Sequence, residues 1–244
     1  MQFSRSRQPE VLVAEAGVSK EDRERLAARL FTIGHSNHEL PRFIELLRAV
    51  GIAAIADVRS SPFSQRLPQY NQSELRRALE ASGFAYVFCG HELGGRPREP
   101  AVYDADGRVD YRLVRRTANF RDGLDRLLDE LGRRTVALMC AEEDPLDCHR
   151  GLMIAPELVE CGIRPRHARG DGSVESTREF EERLLRETGI GGGMIGGLFA
   201  SSITPAERTE MLAEAYAAQA RRRAFRISQD TGATDTSAEV ISVE

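Results

Sequence analysis

Val136-Ala137-Leu138-Met139 runs into Cys140-Ala141-Glu142-Glu143-Asp144-Pro145-Leu146-Asp147-Cys148-His149-Arg150, and the reading of this stretch decides the fold. An apolar run without polar alternation fits a strand covered on both faces, as in a parallel sheet. Asp144-Pro145 marks a turn before a second apolar segment begins. Side chains able to bind anions or carry chemistry therefore gather where a buried strand ends. Asp147 reads as an N-cap, which places Cys148, His149 and Arg150 in the first helical turn. There, free backbone N–H groups and the helix dipole favour a phosphate or a thiolate.

Working outward, the same alternation of apolar strand and amphipathic helix recurs. Leu30–Ile33 reads as a first strand, followed by the polar turn Gly34-His35-Ser36-Asn37. Ser36 and Glu39 form a capping box before a helix through Phe43, Leu46 and Leu47 that Gly51 closes. Ile52–Val58 is a second apolar run, delivering Asp57, Arg59, Ser60 and Ser61 at its exit. Asn71 and Glu74 offer another capping box, Leu75, Ala78 and Leu79 a helical stripe, and Phe84–Phe88 a third strand. An insertion to about Asp110 follows and has the length of a lid. Tyr111–Leu131 reads as one long helix, carrying Arg112, Arg115, Arg116 and Arg121 near its start. After the opening stretch come a helix over Arg150–Glu160, a short strand near Arg164–Ala168 and a helix capped by Ser176 and Glu179.

This order predicts an α/β fold: a doubly wound, mostly parallel five-stranded sheet with helices on both faces, plus a C-terminal helical extension. Residues 30–188 form that domain. Residues 1–29 are an N-terminal extension, 189–227 a Gly-rich hinge and C-terminal helix, and 228–244 a disordered polar tail. Thr204-Pro205-Ala206-Glu207 starts the C-terminal helix with a capping box and proline at its first position. A strand order 3-2-1-4-5 would place the Gly34–Asn37 turn beside Cys140–Arg150 at the carboxyl edge, where such sheets bind ligands.

The 244 residues suffice for one substantial core. Four cysteines at irregular spacing, without any Cys-x-x-Cys pair, argue for free thiols or a site over a disulfide framework. A net charge of -4 gives no global pull toward nucleic acid, although every basic residue except Lys20 is arginine. No cationic leader precedes an apolar stretch and no run is long enough to span a bilayer, so a cytoplasmic location without membrane partners is expected.

Several separated motifs occur in an order that resembles the domain-of-unknown-function 488 family: Thr32-Ile33-Gly34-His35-Ser36, Asp57-Val58-Arg59-Ser60 with Pro62, Leu93-Gly94-Gly95, and Met139-Cys140-Ala141-Glu142 with Cys148-His149-Arg150. The resemblance spans roughly Phe31 to Arg186. It implies the α/β domain and marks these positions, and it supplies no reaction.

The candidate chemistry lies on the loops. Cys148, beside His149 and Arg150, has the surroundings of a nucleophile; the alternative is a buried thiol packing as a small hydrophobe. The phosphatase loop Cys-x5-Arg is not matched, because Leu146 and Ile154 stand where its arginine would. Cys140, Cys148 and His149, with His167 or His35 more distant, are of zinc-ligand type, but the spacing is neither that of a zinc finger nor that of a zinc deaminase. No metal ligand is assigned, and the cofactor is left open. Glu142 is placed as a general base or carboxylate nucleophile and His35 as its acid–base partner, while Asp57 either orients His35 or a substrate hydroxyl or simply caps the next turn. Ser36, Arg59, Ser60, Arg96, His149 and Arg150 are assigned to substrate, the arginines converging on phosphate oxygens.

The expected function is an enzyme, a hydrolase or group transferase, acting on a phosphate-bearing substrate such as a nucleotide or nucleic acid component. Two other classes remain open. One is a non-catalytic thiol- or metal-dependent sensor or binding domain; the other is a nucleic-acid-binding accessory protein with steep salt dependence. A homodimer through the C-terminal helix is a further expectation.

Overall fold

The computed structural model describes residues 19–192 and 203–227. The readings made for residues 1–18, for the Gly-rich stretch beyond 192 and for the tail from Ser228 lie outside the described residues. Helix α1 (Lys20–Ala27) leads into β1 (Leu30–Gly34), α2 (Leu40–Ala49), β2 (Ala54–Asp57), α3 (Gln72–Ala81) and β3 (Ala85–Phe88). Then follow α4 (Tyr111–Val114), α5 (Ala118–Arg133), β4 (Val136–Cys140), a π turn over Arg150–Ile154 and α6 (Ala155–Glu160). The chain continues through β5 (Arg166–Ala168), β6 (Val174–Glu175), α7 (Thr177–Thr188) and α8 (Pro205–Arg223).

The fold class is the α/β architecture expected, with six strands in place of five, because a two-residue β6 pairs antiparallel to β5 at the edge. The strand order is β3-β2-β4-β1-β5-β6, so β4 sits between β2 and β1 and not outside β1 as the sequence reading had it. Every residue of β4 is buried, as suits a strand paired on both sides. The register places Gly34 opposite Cys140 and Asp57 opposite Met139. The exits of β1, β4 and β2 therefore adjoin, and each carries a motif.

Alternation along these strands divides the core into two faces. Phe31, Ile33, Ile55, Ala137 and Met139 meet α2 and α3 through Phe43, Leu46, Leu47, Leu75 and Leu79. Leu30, Ala54, Ala56, Val136 and Leu138 meet the other face, built from Phe120, Leu124 and Leu127 of α5, Leu158 of α6 and Phe180 and Leu184 of α7. Helix α8 covers that second face through Ala215 and Gln219, whose side-chain amide donates to the Leu146 carbonyl at 3.0 Å. Ala215 and Gln219 thus tie α8 to its own domain.

Local signals fared unevenly. Ser176–Glu179 and Thr204–Glu207 form the capping boxes expected of them. Ser36–Glu39 does not: Ser36 adopts a left-handed φ of 49°, and α2 begins after Glu39. Asn71 stands at the N-cap of α3, but its side-chain oxygen accepts from the Ser64 N–H at 2.7 Å and caps nothing. The long helix expected from Tyr111 is broken at Thr117, whose hydroxyl caps α5 by accepting from the Phe120 N–H.

Candidate functional site

Asp57 ends β2 fully buried, and the nearby Arg59 guanidinium donates to both its oxygens, Nε to Oδ1 at 2.9 Å and Nη2 to Oδ2 at 2.6 Å. The Tyr86 hydroxyl donates to the same Oδ2 at 2.7 Å. The remaining arm of Arg59 reaches His35 Nε2 at 3.3 Å, and His35 Nδ1 lies 2.8 Å from the Ser36 carbonyl. That pairing fixes the proton on Nδ1 and leaves Nε2 as acceptor. Burial first, then the Arg59 charge, pushes His35 down to about 4, so the ring is neutral near pH 7. Tyr70 stacks on it at 4.0 Å. A hydrogen-bond chain thus joins Asp57 to His35 through Arg59, and both ring nitrogens are engaged.

One strand over, the exit of β4 builds a different cluster. His149 Nε2 is 3.0 Å from the Val58 carbonyl, while its Nδ1 lies 3.8 Å from Cys140 Sγ and 3.7 Å from Cys148 Sγ. Cys140 and Cys148 are 4% and 2% exposed, and Arg150 is wholly buried. Asp147 is not the N-cap that the sequence reading made it. Asp144 caps a 3-10 turn over Pro145–Asp147, and Asp147 pairs with Arg223 at 2.9 Å. Cys148 itself is extended and takes the N-cap position: its carbonyl accepts from Gly151 and Leu152, and its sulfur accepts from the Arg150 N–H at 3.5 Å. The competing hydrogen-bond acceptor at this helix start is therefore a sulfur.

The electrostatics separate the two thiols. Burial raises Cys148, but the hydrogen bond from Cys140, the Arg150 charge and His149 together hold it well below the ordinary thiol range. Cys140 is raised, first by the same hydrogen bond and then by burial. Burial lowers His149, and the Cys148 sulfur more than offsets it, so the imidazole is raised. Glu142 is exposed at the rim, yet atoms crowding its carboxyl, followed by the Cys148 sulfur, raise it above the usual carboxylate range.

Two of the three arginines assigned to phosphate, Arg59 and Arg150, are committed elsewhere. Arg150 donates to the carbonyls of Glu142 at 2.7 Å and Glu143 at 2.6 Å, holding the loop against the helix start. Arg59 is braced on Asp57. Arg96 is exposed and its guanidinium stacks over Phe225 at 4.7 Å, while Ser60 Oγ accepts from the Arg96 N–H at 2.9 Å. His35, Asp57, Arg59, Cys140, Cys148, His149 and Arg150 therefore meet at one rim, Glu142 stands over it, and Arg96 lies at its margin. Tyr70, Tyr86 and the Val58 carbonyl complete the arrangement and were missed in the sequence, because nothing local marks a tyrosine or a carbonyl that a distant strand will use. Phe63, 67% exposed on the β2 exit loop, was likewise passed over.

Motif glycines have a steric role here. A Cβ on Gly34 would stand 1.8 Å from the Glu142 carbonyl oxygen, and one on Gly95 would stand 2.9 Å from the His149 ring. The loops close on one another at backbone distance. A cavity of about 620 Å³ lies elsewhere, under α8, lined by Tyr111, Leu152, Pro156 and Tyr216 but by none of Cys140, Glu142, Cys148 or His149. Part of its charged rim is paired, Arg115 with Glu160 and Arg208 with Glu181.

The fold and rim define the class: a mostly parallel α/β domain with a buried dithiol–imidazole centre at the carboxyl ends of its strands. Residues 39–155 match the family described as Domain of unknown function DUF488, so the resemblance read from the motifs holds over that stretch. The match takes in the Asp57–Ser60, Leu93–Gly95 and Met139–Arg150 motifs and begins after Thr32–Ser36. No curated protein matches the chain, and no solved structure matches it. Among the described residues no helix is long and apolar enough to cross a membrane.

Proposed function

We propose that the protein is an enzyme, a hydrolase or group transferase acting on a nucleotide or nucleic acid component at the carboxyl edge of the sheet. The observation that carries this reading is the buried Cys140–Cys148–His149 centre beside a rim carboxylate, Glu142, whose pKa is raised. Titratable groups shifted in opposite directions within one cluster are what acid–base chemistry near neutral pH uses. Glu142 is the acid–base group. His35, neutral and engaged at both nitrogens, is a positioning residue that links Asp57–Arg59 to the β1 turn. Substrate phosphate falls to the exposed Arg66, Arg96 and Arg98, because Arg59 and Arg150 are spent inside. Phe63, on the loop leaving β2 and next to the loop leaving β3, offers a face on which a base stacks.

The test is a thermal-shift and turnover screen over mononucleotides, sugar phosphates and short single-stranded oligonucleotides. A site ligand raises Tm by mass action, and the shift shrinks as salt rises. Phe63→Ala weakens binding by about tenfold, in line with the loss of one stacked base. Glu142→Gln keeps binding and lowers turnover by about 100-fold or more. If no phosphate compound shifts Tm and none is turned over, the reading fails.

A further inference from the structure

We infer that Cys140 Sγ, Cys148 Sγ and His149 Nδ1 are three protein ligands of a zinc ion held at the exit of β4. The ion belongs to the centre proposed above and takes its chemical purpose from that reading, but it is deduced from donor geometry alone. The three ligand atoms lie within 4.8 Å of one another. A tetrahedral zinc, with bonds of about 2.3 Å to sulfur and 2.0–2.1 Å to nitrogen, sets sulfur and nitrogen ligands about 3.5 Å apart. The separations here are 3.8 and 3.7 Å, within a few tenths of an ångström of that spacing.

Three further features fit. His149 commits Nε2–H to the Val58 carbonyl at 3.0 Å, which leaves the Nδ1 lone pair pointing at both sulfurs; this is the outer hydrogen bond that orients a metal-bound imidazole. Both sulfurs face that single lone pair, and one cation can bind all three atoms at once. The Cys148 sulfur also accepts the Arg150 N–H at 3.5 Å, and the Arg150 guanidinium, buried among carbonyls, favours anionic sulfur nearby. Three protein ligands leave one position of a tetrahedral zinc to be filled, and in catalytic zinc sites that position holds a water that ionises near neutral pH. Glu142, two residues beyond Cys140, is the carboxylate on hand to accept a proton from it.

The test uses the full chain purified from zinc-supplemented medium. Elemental analysis gives roughly one zinc per chain, and the cobalt-substituted protein shows a thiolate-to-cobalt charge-transfer band. Cys140→Ser, Cys148→Ser and His149→Gln each cut zinc affinity by about tenfold or more. Cys161→Ser, which alters a buried thiol outside the cluster, leaves it unchanged. Ligand variants of a buried centre can fail to fold, so the wild-type protein is also stripped with a chelator. Two thiols then become reactive toward a thiol reagent, and adding zinc back protects both. Trace zinc with no cobalt–thiolate band, or undiminished zinc in both cysteine variants, overturns the site. Nucleotide turnover in protein that binds no zinc removes the metal and leaves the enzyme, while stoichiometric zinc without any nucleotide binding does the reverse.

Discussion

Arg150 is the largest side chain that the fold buries completely among the described residues, and its guanidinium spans the Glu142 and Glu143 carbonyls. Removing it strands two carbonyls away from water and opens a cavity at the start of the π turn. Arg150→Ala is therefore expected to lower the unfolding free energy by about 3 kcal/mol, read by urea denaturation. Arg150→Lys recovers less than half of that, since an ammonium cannot bridge two carbonyls in forked geometry. An Arg150→Ala protein of undiminished stability that merely bound phosphate less well would restore the anion-binding role read from the sequence. The guanidinium was visible in the chain; its acceptor was not, because a carbonyl and a phosphate oxygen satisfy the same fork and only the path of the backbone chooses.

At the scale of elements, the loop bearing the cluster is tied down by charge. Asp144 caps the turn at Leu146 and accepts both arms of Arg183 at 2.6 and 2.9 Å, while Arg169 joins Asp144 to Glu143 and Glu175. Burial opposes ionisation of Asp144, but Arg183 and the Leu146 N–H outweigh it and hold its carboxyl down at about 2. Asp144→Asn is expected to cost about 2 kcal/mol and to raise amide exchange over residues 141–149 ahead of global unfolding. Unchanged exchange there would show that the cation network does not restrain the loop. The C-terminal helix offers a second check. Thr204→Ala removes a capping box and costs about 1 kcal/mol, seen as faster exchange in the first turn of α8 while the sheet stays protected. These caps were legible because each lies within four residues of its partner. Ser36 failed as a cap because β1 exits beside β4, and the tertiary contact at Cys140 and Ala141, which accept from the His35 and Ser36 N–H groups, turned the chain left-handed first.

For the whole molecule, acid stability follows from two buried imidazoles. His167 packs against Phe180 and pairs with the Thr32 hydroxyl at 2.8 Å; burial, then the Arg150 charge, lowers it to about 3. His35 is lowered to about 4. Both groups take up a proton on unfolding once the pH is below the ordinary value of 6.5, so their contribution is intact above 6.5 and is lost progressively as the pH falls toward 4 and 3. Each fully titrating histidine adds a slope of about 1.4 kcal/mol per pH unit. His167→Gln is expected to flatten the stability curve between pH 4 and 6 by about that amount, measured by denaturant titration at fixed pH steps. The Asp144 contribution has the opposite origin and the same outcome: it is present above pH 3.8 and disappears as the pH falls through about 2. An unaltered slope in His167→Gln would mean that this ring is protonated in the folded state.

The linear order of residues was enough to determine the alternation of strand and helix, the burial of the Val136–Cys140 run and the end of the sheet to which the reactive side chains belong. Those properties follow from hydrophobic period and turn chemistry, which act over a few residues. The position of β4 between β1 and β2 was decided only when the elements packed, because strand order reflects which faces bury one another and leaves no local mark. With β4 in the centre, Gly34 and Asp57 flank it on either side, and residues more than a hundred positions apart share one rim. That same packing spent Arg59 and Arg150 on internal acceptors and turned His149 toward two sulfurs. A side chain's partners are set by the three-dimensional path of the backbone, and its chemistry follows from them.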